Sequence, residues 1–455
     1  MLHVLVLVLV EMMTVTSSAA SSASPRAGRR NSPMAAQQMP WSRVLPNLAP
    51  GWLVTRGLDS SSAFHAGSLR APTKSDDELS ARSTQPLAQL NSVFVDFELA
   101  SSFSQADWHD EFKLMRSLGI TTLTVAHVAN GRPWNGTDRC FKFRPHYGRY
   151  TAFYPTKLDC FGTSSEYSSG LRPLLEAATN MSMGVYLGLA NVVSKPGVGH
   201  FIESSNLDLS DRFNESWSDF ARIQLDVFDE LWGLYSGYSG AIRGVYTVLE
   251  SGNCAPLYVD PQYGTFLRVL SSGIRQRVPK LQVFASPGFG SSNRWQSKIC
   301  NETLSPSDWQ TYWTNIFRQA PALSFIAAQD GRGIYNAEST AMKYLDAIRR
   351  AHHATGRTYS VNLEAFNFSA TALAPKFPGT CANRMPTMWD RFRAQLQAEA
   401  SMVPLGGMTT AWEWFTCFSP RPDYCATPPS GSMMLSASHQ RLARQLREDY
   451  KAYVQ

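Results

Sequence analysis

The stretch VNLEAFNF, residues 361–368, decides how the chain is interpreted. It begins as an apolar, strand-like run behind Ser360 and places the carboxylate of Glu364 where the apolar pattern ends. Burying an unpaired charge is costly, so packing does not explain an acid at the end of a buried strand. A second stretch, GVYTVLESGN, ends in the same way at Glu250. The two carboxylates indicate one site formed by distant parts of the chain.

Short β-rich runs alternate with helix-length amphipathic segments from Asn91 to the C-terminus. Eight predicted strands end near Leu99, Val128, Ala190, Glu250, Phe289, Gly331, Phe366 and Phe415. At about 45 residues for each strand-helix unit, this count and spacing predict an α/β fold, the (β/α)8 TIM barrel. An open doubly wound sheet would instead be expected to carry a Gly-rich phosphate turn after an early strand, and the sequence has none.

The region before the predicted barrel divides into two segments. Residues 1–20 contain the apolar run LHVLVLVLV followed by small residues, the pattern of a secretory signal peptide, although no Lys or Arg precedes the run and Glu11 interrupts it. That run is too short to span a bilayer, and no later one is long enough. Residues 21–90, rich in Ser, Ala, Pro and Arg, are expected to form a disordered leader. The ordered domain is therefore predicted to cover residues 91–455.

Glycosylation motifs and cysteines favour secretion or an endomembrane lumen. Acceptor tripeptides begin at Asn135, Asn180, Asn214, Asn301 and Asn367. All seven cysteines follow residue 139, mostly in predicted loops, which favours disulfide bonds with one thiol left over. Spacing suggests Cys140 with Cys160 and Cys417 with Cys425, although sequence does not fix connectivity. We expect a secreted, disulfide-containing glycoprotein.

The charge balance gives no sign of a nucleic-acid partner, because the net charge of +6 is mild and not clustered. A composition with 44% hydrophobic and 17% charged residues indicates a globular protein with a large core. We therefore expect no nucleic-acid partner. We also expect a monomer without a membrane span.

Active sites of (β/α)8 barrels lie at the carboxyl ends of the strands, so the last residues of each run are the candidates. They are Asp96 and Glu98 on strand 1, His127 on strand 2, Asn191 after strand 3, Glu250 on strand 4, Asp330 on strand 6, Asn362 and Glu364 on strand 7, and Trp412, Glu413 and Trp414 on strand 8. Strands 4 and 7 are three apart in a ring of eight, so Glu250 and Glu364 can approach each other across the mouth.

Two acids flanking a bound sugar are what glycoside cleavage requires. One acid protonates the leaving oxygen, and the other attacks the anomeric carbon or activates water. Glu250 and Glu364 are the predicted catalytic pair, with Glu413 as a third candidate, and the remaining strand-end residues are predicted to bind substrate. Trp412 and Trp414 supply rings that can stack on the apolar faces of sugars.

Structural explanations compete with these roles. A strand-end carboxylate is often a helix cap or an ion-pair partner, and Asp330 could hold a turn with the glycine that follows it. Tryptophans more often fill the layer between strands and helices. His127 has no His or Cys at metal-ligand spacing, so we expect no metal and no cofactor.

Several segments together resemble a family of glycosidase-like TIM-barrel proteins catalogued as a domain of unknown function. They include DWHDEFKLMRSLGITTLTV, GVYLGLA, GVYTVLES, FIAAQDGRG and VNLEAF, spread from Trp108 to Phe366. The resemblance implies a place among TIM-barrel glycoside hydrolases, in whose best-known clan strand 4 supplies the acid/base and strand 7 the nucleophile. On this sequence these residues are Glu250 and Glu364. Leu249 stands where that clan usually has Asn, so inverting chemistry stays open.

The expected function is hydrolysis of O-glycosidic bonds in a polysaccharide or glycoconjugate, with a retaining mechanism favoured. The alternative is a non-catalytic carbohydrate-binding barrel, because a groove that only binds glycans also needs acids and aromatic rings. A cell-surface adhesin is the third interpretation, favoured only if no glycan binds.

Overall fold

The computed structural model describes residues 88–97, 100–131, 151–158, 162–163, 170–192, 217–255, 261–289, 302–333, 338–368, 384–421 and 437–455. The predicted signal peptide, most of the predicted leader, Glu98 and the cysteines Cys140, Cys160 and Cys425 lie outside these residues. So do the motifs at Asn135, Asn214 and Asn301. Leu90, which the sequence assigned to the leader, is fully buried, and its N–H donates to the hydroxyl of Tyr450.

Eight parallel strands close into a barrel, which confirms the predicted fold class. They are β1 (Ser92–Val95), β2 (Thr122–Val125), β3 (Gly184–Gly188), β4 (Ile242–Thr247), β5 (Gln282–Ala285), β6 (Phe325–Gln329), β7 (Ser360–Glu364) and β8 (Thr409–Trp412). Neighbours in this order pair in parallel, and β8 pairs with β1 to complete the ring. Asn91 fastens that seam, since its side chain donates to the carbonyl of Gly407 and accepts from the N–H of Thr409.

Each strand is followed by a helix on the outside of the ring. The helices are α1 (Gln105–Ser117), α2 (Leu171–Asn180), α3 (Trp217–Tyr235), α4 (Pro261–Arg277), α5 (Pro306–Gln319), α6 (Glu338–Ala354), α7 (Trp389–Ala398) and α8 (Ala437–Val454), and a short helix, Trp414–Cys417, precedes α8. Ser104 caps α1, because its hydroxyl accepts a hydrogen bond from the N–H of Asp107. Gly119, with φ +79°, follows the end of this helix.

All eight strands end two to four residues earlier than the sequence predicted. β1 ends at Val95 rather than near Leu99, and β8 ends at Trp412 rather than near Phe415. The Trp412–Glu413 peptide bond is cis, and the Glu413 side chain caps the short helix that follows. Trp412 and Trp414 therefore do not share one face of a continuous strand.

Aromatic side chains fill the barrel interior. Phe94, Tyr186, Tyr246, Phe284 and Phe325 are buried there as one cluster. The rings of Phe284 and Phe325 stack at 5.0 Å, and those of Phe94 and Tyr246 meet edge to face at 5.1 Å. Such contacts add to the free energy of burial. The barrel interior beneath the carboxyl rim is therefore filled with packed side chains.

Short strands in the connections extend above the carboxyl rim. Ala129–Gly131, Thr151–Ala152, Gly162–Thr163 and Ala190–Val192 form a four-stranded sheet. Cys254–Ala255 pairs with Glu302–Thr303, and Phe366–Phe368 pairs with Arg384–Pro386. All of them lie between a barrel strand and its helix, on the side where this fold carries its sites. Among the residues that the structure describes, no helix is long and apolar enough to cross a membrane.

His352 on α6 gives the fold a measurable dependence on pH. Its ring is fully buried, Nε2 accepts from the N–H of Ile326 at 3.2 Å, and Nδ1 lies 2.9 Å from the carbonyl oxygen of Ile348. Burial lowers the pKa of His352 from 6.5 to about 4. In the unfolded chain this histidine takes up a proton at a higher pH than in the folded protein. Its contribution to stability is therefore complete above pH 6.5 and is lost as the pH falls toward about 4.

We expect His352→Gln, which cannot titrate, to flatten this pH dependence. Between about pH 7.5 and about pH 5, the free energy of unfolding of the wild type should fall by about 2 kcal/mol more than that of the variant. Urea denaturation of both proteins at the two pH values measures the difference. His353→Gln is the control, because His353 is exposed on the same helix and should leave the pH dependence unchanged. Equal losses in wild type and His352→Gln would contradict the assignment.

Candidate active site

Glu364 is the last residue of β7, whereas Glu250 lies three residues beyond the end of β4 at Thr247. Tyr246 on β4 packs in the barrel interior, and its hydroxyl lies 3.4 Å from Oε1 of Glu250. On β7, Val361 and Leu363 pack in the outer layer, so Glu364 faces inward. β5 and β6 separate the two strands in the ring. Both acids therefore lie at the carboxyl rim of one barrel.

The carboxylate of Glu364 is held by a backbone donor. The side chain is 2% exposed, and its Oε2 accepts a hydrogen bond from the N–H of Gly333 at 2.7 Å. A Cβ at position 333 would lie 2.5 Å from the carbonyl oxygen of Phe366 and 2.8 Å from Oε2 of Glu364. Only glycine lets the loop after β6 approach this closely. The loop thus orients the acid at the end of β7.

Glu250 has a different environment. Its residue is half-buried, and the hydroxyl of Tyr246 lies 3.4 Å from its Oε1. Burial and the nearby Glu250 carboxylate raise the pKa of Tyr246 well above its usual value, so the phenol stays protonated. The tyrosine, four residues before Glu250, therefore presents a neutral O–H to its carboxyl group.

Trp412 and Asn362 line the same inner surface beside Glu364. Trp412 is the register partner of Glu364 on β8, and its ring lies 5.0 Å from that of Phe94. Asn362 donates from Nδ2 to Oγ of Ser286 at 3.0 Å, and that hydroxyl donates onward to a carbonyl, which fixes the orientation of the amide. Within the described part of the chain, Oδ1 of Asn362 is buried without a hydrogen-bond partner. An acceptor of this kind suits a ligand hydroxyl or a water.

Asp330 lies outside the barrel interior. Ile326 and Ala328 on the same side of β6 pack in the outer layer, and Asp330 is fully buried behind the strand. Its carboxylate accepts from the N–H of Glu364, the N–H of Arg332 and Nε2 of Gln395. Burial, with the neighbouring Asp330 charge, raises the pKa of Glu399 well above its usual value. The structure therefore places Asp330 as a support for Glu364 rather than on the cleft surface.

Glu413, Asp96 and His127 form a second group, at the carboxyl ends of the adjacent strands β8, β1 and β2. Oε1 of Glu413 accepts from the N–H groups of Asp96 and Phe415, and Oε2 accepts from the N–H and Oγ1 of Thr416. Burial raises the pKa of Glu413 to about 7, with the Asp96 charge acting in the same direction. Burial also lowers the pKa of His127, against the pull of Asp96. Glu413 is engaged as a helix cap, not directed at the mouth.

Trp414 and Asn191 are not brought to the two acids. Trp414 is fully buried outside the barrel, and its indole N–H donates to Glu111 on α1 at 2.7 Å. Asn191 lies in the four-stranded rim sheet, paired with Asn130. Sequence reasoning missed four residues that contact the catalytic candidates: Tyr246, Gly333, Arg391 and Gln395. Only Tyr246 carried a signal, since it shares a strand face with Glu250.

A closed ring of eight parallel strands, each followed by a helix, defines a (β/α)8 TIM-barrel protein. Within that class the chain belongs to the DUF4434 family, a domain of unknown function, whose model matches residues 92–414. This match confirms the family resemblance inferred from the sequence.

Two solved structures are similar to this chain. A candidate alpha-L-fucosidase from Bacteroides thetaiotaomicron VPI-5482 is similar at 16% sequence identity and a TM-score of 0.55, over 86% of this chain and 99% of that chain. The endo-1,4-beta-mannanase from Rhizomucor miehei is similar at 12% identity and a TM-score of 0.41, over 81% of this chain and 96% of that chain. At such identity the first similarity supports the fold alone. No curated protein matches the chain.

Proposed function

We propose that this chain is a secreted glycoside hydrolase that cleaves O-glycosidic bonds of a polysaccharide or glycoconjugate with retention of configuration. Glu364 is the nucleophile and Glu250 the acid/base. The proposal is supported by the inward-facing Glu364 at the end of β7 and by Glu250 beyond the end of β4, where it lies beside the inward-facing Tyr246. A sugar in the mouth would lie between two acids, which is the arrangement that glycoside cleavage uses.

The contrast between the two environments supports the division of roles. Glu364 is almost fully buried, accepts a backbone N–H and is attracted to the guanidinium of Arg391. These contacts stabilise an ionised carboxylate in a fixed direction, as a nucleophile requires. Glu250 is more exposed and lies beside a neutral phenol. A proton can therefore be exchanged there with a leaving group or with water.

The reaction then proceeds in two displacements. Glu364 attacks the anomeric carbon while the Glu250 carboxyl transfers its proton to the glycosidic oxygen, so that the bond to the leaving sugar breaks. The ionised Glu250 next removes a proton from water, whose oxygen attacks the same carbon and releases Glu364. Trp412 would stack on a sugar face, and Oδ1 of Asn362 would accept from a hydroxyl.

We also propose that the protein acts outside the cell or in an endomembrane lumen. Asn180 supports this, because its acceptor motif is exposed at the end of α2. Asn367 is less suited to modification, since it lies half-buried in the strand Phe366–Phe368. Protein expressed in a eukaryotic secretory pathway should therefore lose mass on enzymatic removal of N-glycans, and Asn180→Gln should lose less.

A glycan panel tests the enzyme. The purified full chain is incubated with plant, algal and fungal polysaccharides, and the release of reducing ends is compared between wild type and Glu364→Gln. Release that the substitution abolishes supports the hydrolase, and proton NMR of the first product should show the configuration of the substrate. Retention on a glycan affinity gel without products would instead establish the carbohydrate-binding alternative.

Gly333→Ala should disturb the Glu364 carboxylate without touching substrate. The new methyl group would meet the carbonyl of Phe366, so the loop must move away and its N–H loses Oε2 of Glu364. Because misplacement of a reacting group by about 1 Å costs roughly 100-fold, we expect kcat to fall by about 10 to 100-fold. Steady-state kinetics on the best glycan measures this change.

Gly237→Ala is the matched control, since a Cβ there meets nothing within 4 Å. It should keep wild-type kcat. A Gly333→Ala protein that also kept it would show that the N–H contact does not set the geometry of the nucleophile.

A further inference from the structure

Arg391 lies in the first turn of α7 and reaches back to the segment that carries Glu364. Its guanidinium donates to three backbone carbonyl oxygens, from Nη1 to Arg332 at 2.6 Å and from Nη2 to Glu364 at 2.8 Å and Phe366 at 2.6 Å. Its Nε donates to Oγ1 of Thr387. The nitrogens of the planar guanidinium are thus hydrogen-bonded to residues after β6, at and after the end of β7, and just before α7.

The contact with Arg332 is informative because of the peptide unit to which that carbonyl belongs. The Arg332 carbonyl and the Gly333 N–H are opposite ends of one planar peptide. That N–H donates to Oε2 of Glu364, while Arg391 also binds the carbonyl of Glu364. The guanidinium, the Arg332–Gly333 peptide and Glu364 therefore close a ring of hydrogen bonds. In this ring one side chain fixes both the donor and the backbone of the acceptor.

Among the charged groups around Arg391, Glu364 is the acid that lies on the cleft side. Asp330 and Glu364 attract the guanidinium and Arg332 repels it, while Cys417 on the short helix has a smaller electrostatic effect. Asp330 is engaged behind the strand, and Glu399 pairs with Arg332 at 2.9 Å. Burial lowers the pKa of Arg391, and the two nearby carboxylates act in the opposite direction. An arginine stays charged across any working pH.

We propose that Arg391 is a positioning residue for Glu364: it orients the Arg332–Gly333 peptide whose N–H holds the carboxylate, and its charge favours the ionised acid. The inference rests on the proposed hydrolase function. Arg391 acts through Glu364, so its loss should lower kcat more than it changes KM. Lysine cannot replace it fully, because one ammonium group cannot bind the carbonyls of Arg332 and Glu364 in the same planar geometry.

Arg357 offers a matched control at the opposite end of β7. Its guanidinium also donates to backbone carbonyls, five in its case: those of Leu323, Thr355, Phe317, Ala320 and Pro321. Burial lowers the pKa of Arg357 as it does for Arg391. Arg357→Met therefore removes the same kind of contact far from the carboxyl rim.

The test compares Arg391→Met, Arg391→Lys and Arg357→Met in the full chain, at a temperature where all are folded. In Arg391→Met we expect kcat to fall roughly 100-fold with KM changed less than about 3-fold, and the acidic limb of the kcat/KM profile to move up by about 0.5 to 1 pH unit. In Arg391→Lys the acidic limb of the kcat/KM profile should lie where it does in the wild type, whereas kcat should recover only in part. Arg357→Met should leave kcat and the limb unchanged. Equal kinetic changes in Arg391→Met and Arg357→Met would overturn the proposal.

A spectroscopic titration separates this inference from the hydrolase proposal. Glutamate labelled with carbon-13 at the carboxyl group reports each acid, and the Glu364 signal is the one missing from Glu364→Gln. Its titration midpoint should move up in Arg391→Met and stay in Arg357→Met. If the Glu364 midpoint moves in Arg391→Met but the wild type hydrolyses no glycan, the role of Arg391 in stabilising the ionised acid is supported and the hydrolase proposal is rejected. Glycan hydrolysis by wild type with no such shift would reject the inference alone.

Discussion

Glu364→Ala is expected to lower kcat by roughly 10⁴ to 10⁶-fold, because it removes the atom that forms the covalent bond to the sugar. The substitution also leaves a space beneath the anomeric carbon, where the carboxylate accepted the N–H of Gly333. A small anion such as azide should enter this space and attack in place of the acid. The product would be a glycosyl azide whose configuration is opposite to that of the substrate. Its appearance is measured by mass spectrometry and proton NMR.

Glu448→Ala is the control for this experiment, since Glu448 is exposed on α8 and 56% of its side chain surface is accessible. It should retain wild-type kcat with and without azide. A Glu364→Ala protein that kept about a tenth of the wild-type rate would remove Glu364 from the chemistry. An azide product of unchanged configuration would assign Glu364 to the acid/base role instead.

Glu250→Ala should produce a loss that depends on the leaving group. With a polysaccharide, whose departing oxygen needs a proton, we expect kcat/KM to fall by about 10³-fold. With an aryl glycoside that carries an acidic phenol, the first step needs no proton, and the loss in kcat/KM should be about 10-fold or less. The second step still lacks its base, so azide should speed turnover and give a product of unchanged configuration.

The pH profile of Glu250→Ala provides a second readout. In the wild type the activity is lost at high pH when Glu250 gives up its proton, and this basic limb should be absent from the variant. Equal losses on the polysaccharide and the aryl glycoside, with the basic limb retained, would show that another group donates the proton.

The sequence was sufficient to predict the barrel, because eight apolar runs with intervening amphipathic segments leave few other folds. It also placed Glu364 at the end of a strand, as the structure has it, while the catalytic roles of Glu250 and Glu364 stay predictions. It could not show that Asp330 faces outward, because Ala327 and Ala328 are both apolar and the alternation carries no signal there. Burial on both sides of a parallel strand removes that information.

The supporting residues were beyond the reach of sequence patterns for a different reason. Arg391 reads as an ordinary cation on an amphipathic helix, and only the folded structure brings it to the carbonyls of Arg332 and Glu364. Glu413 reads as one more residue of a strand, but the chain turns there and the carboxylate caps the next helix. Both roles depend on tertiary contacts, which local spacing does not encode.

The small sheets above the rim determine how the specificity of this protein could be re-engineered. The connections after β2 and β3 share one sheet, and those after β4 and β5 share another, whereas the hairpin after β7 pairs only with itself in the described part of the chain. Grafting a loop from a relative would break backbone pairing unless its partner loop came with it. Chimeras should therefore exchange these connections as two coupled blocks and one independent module.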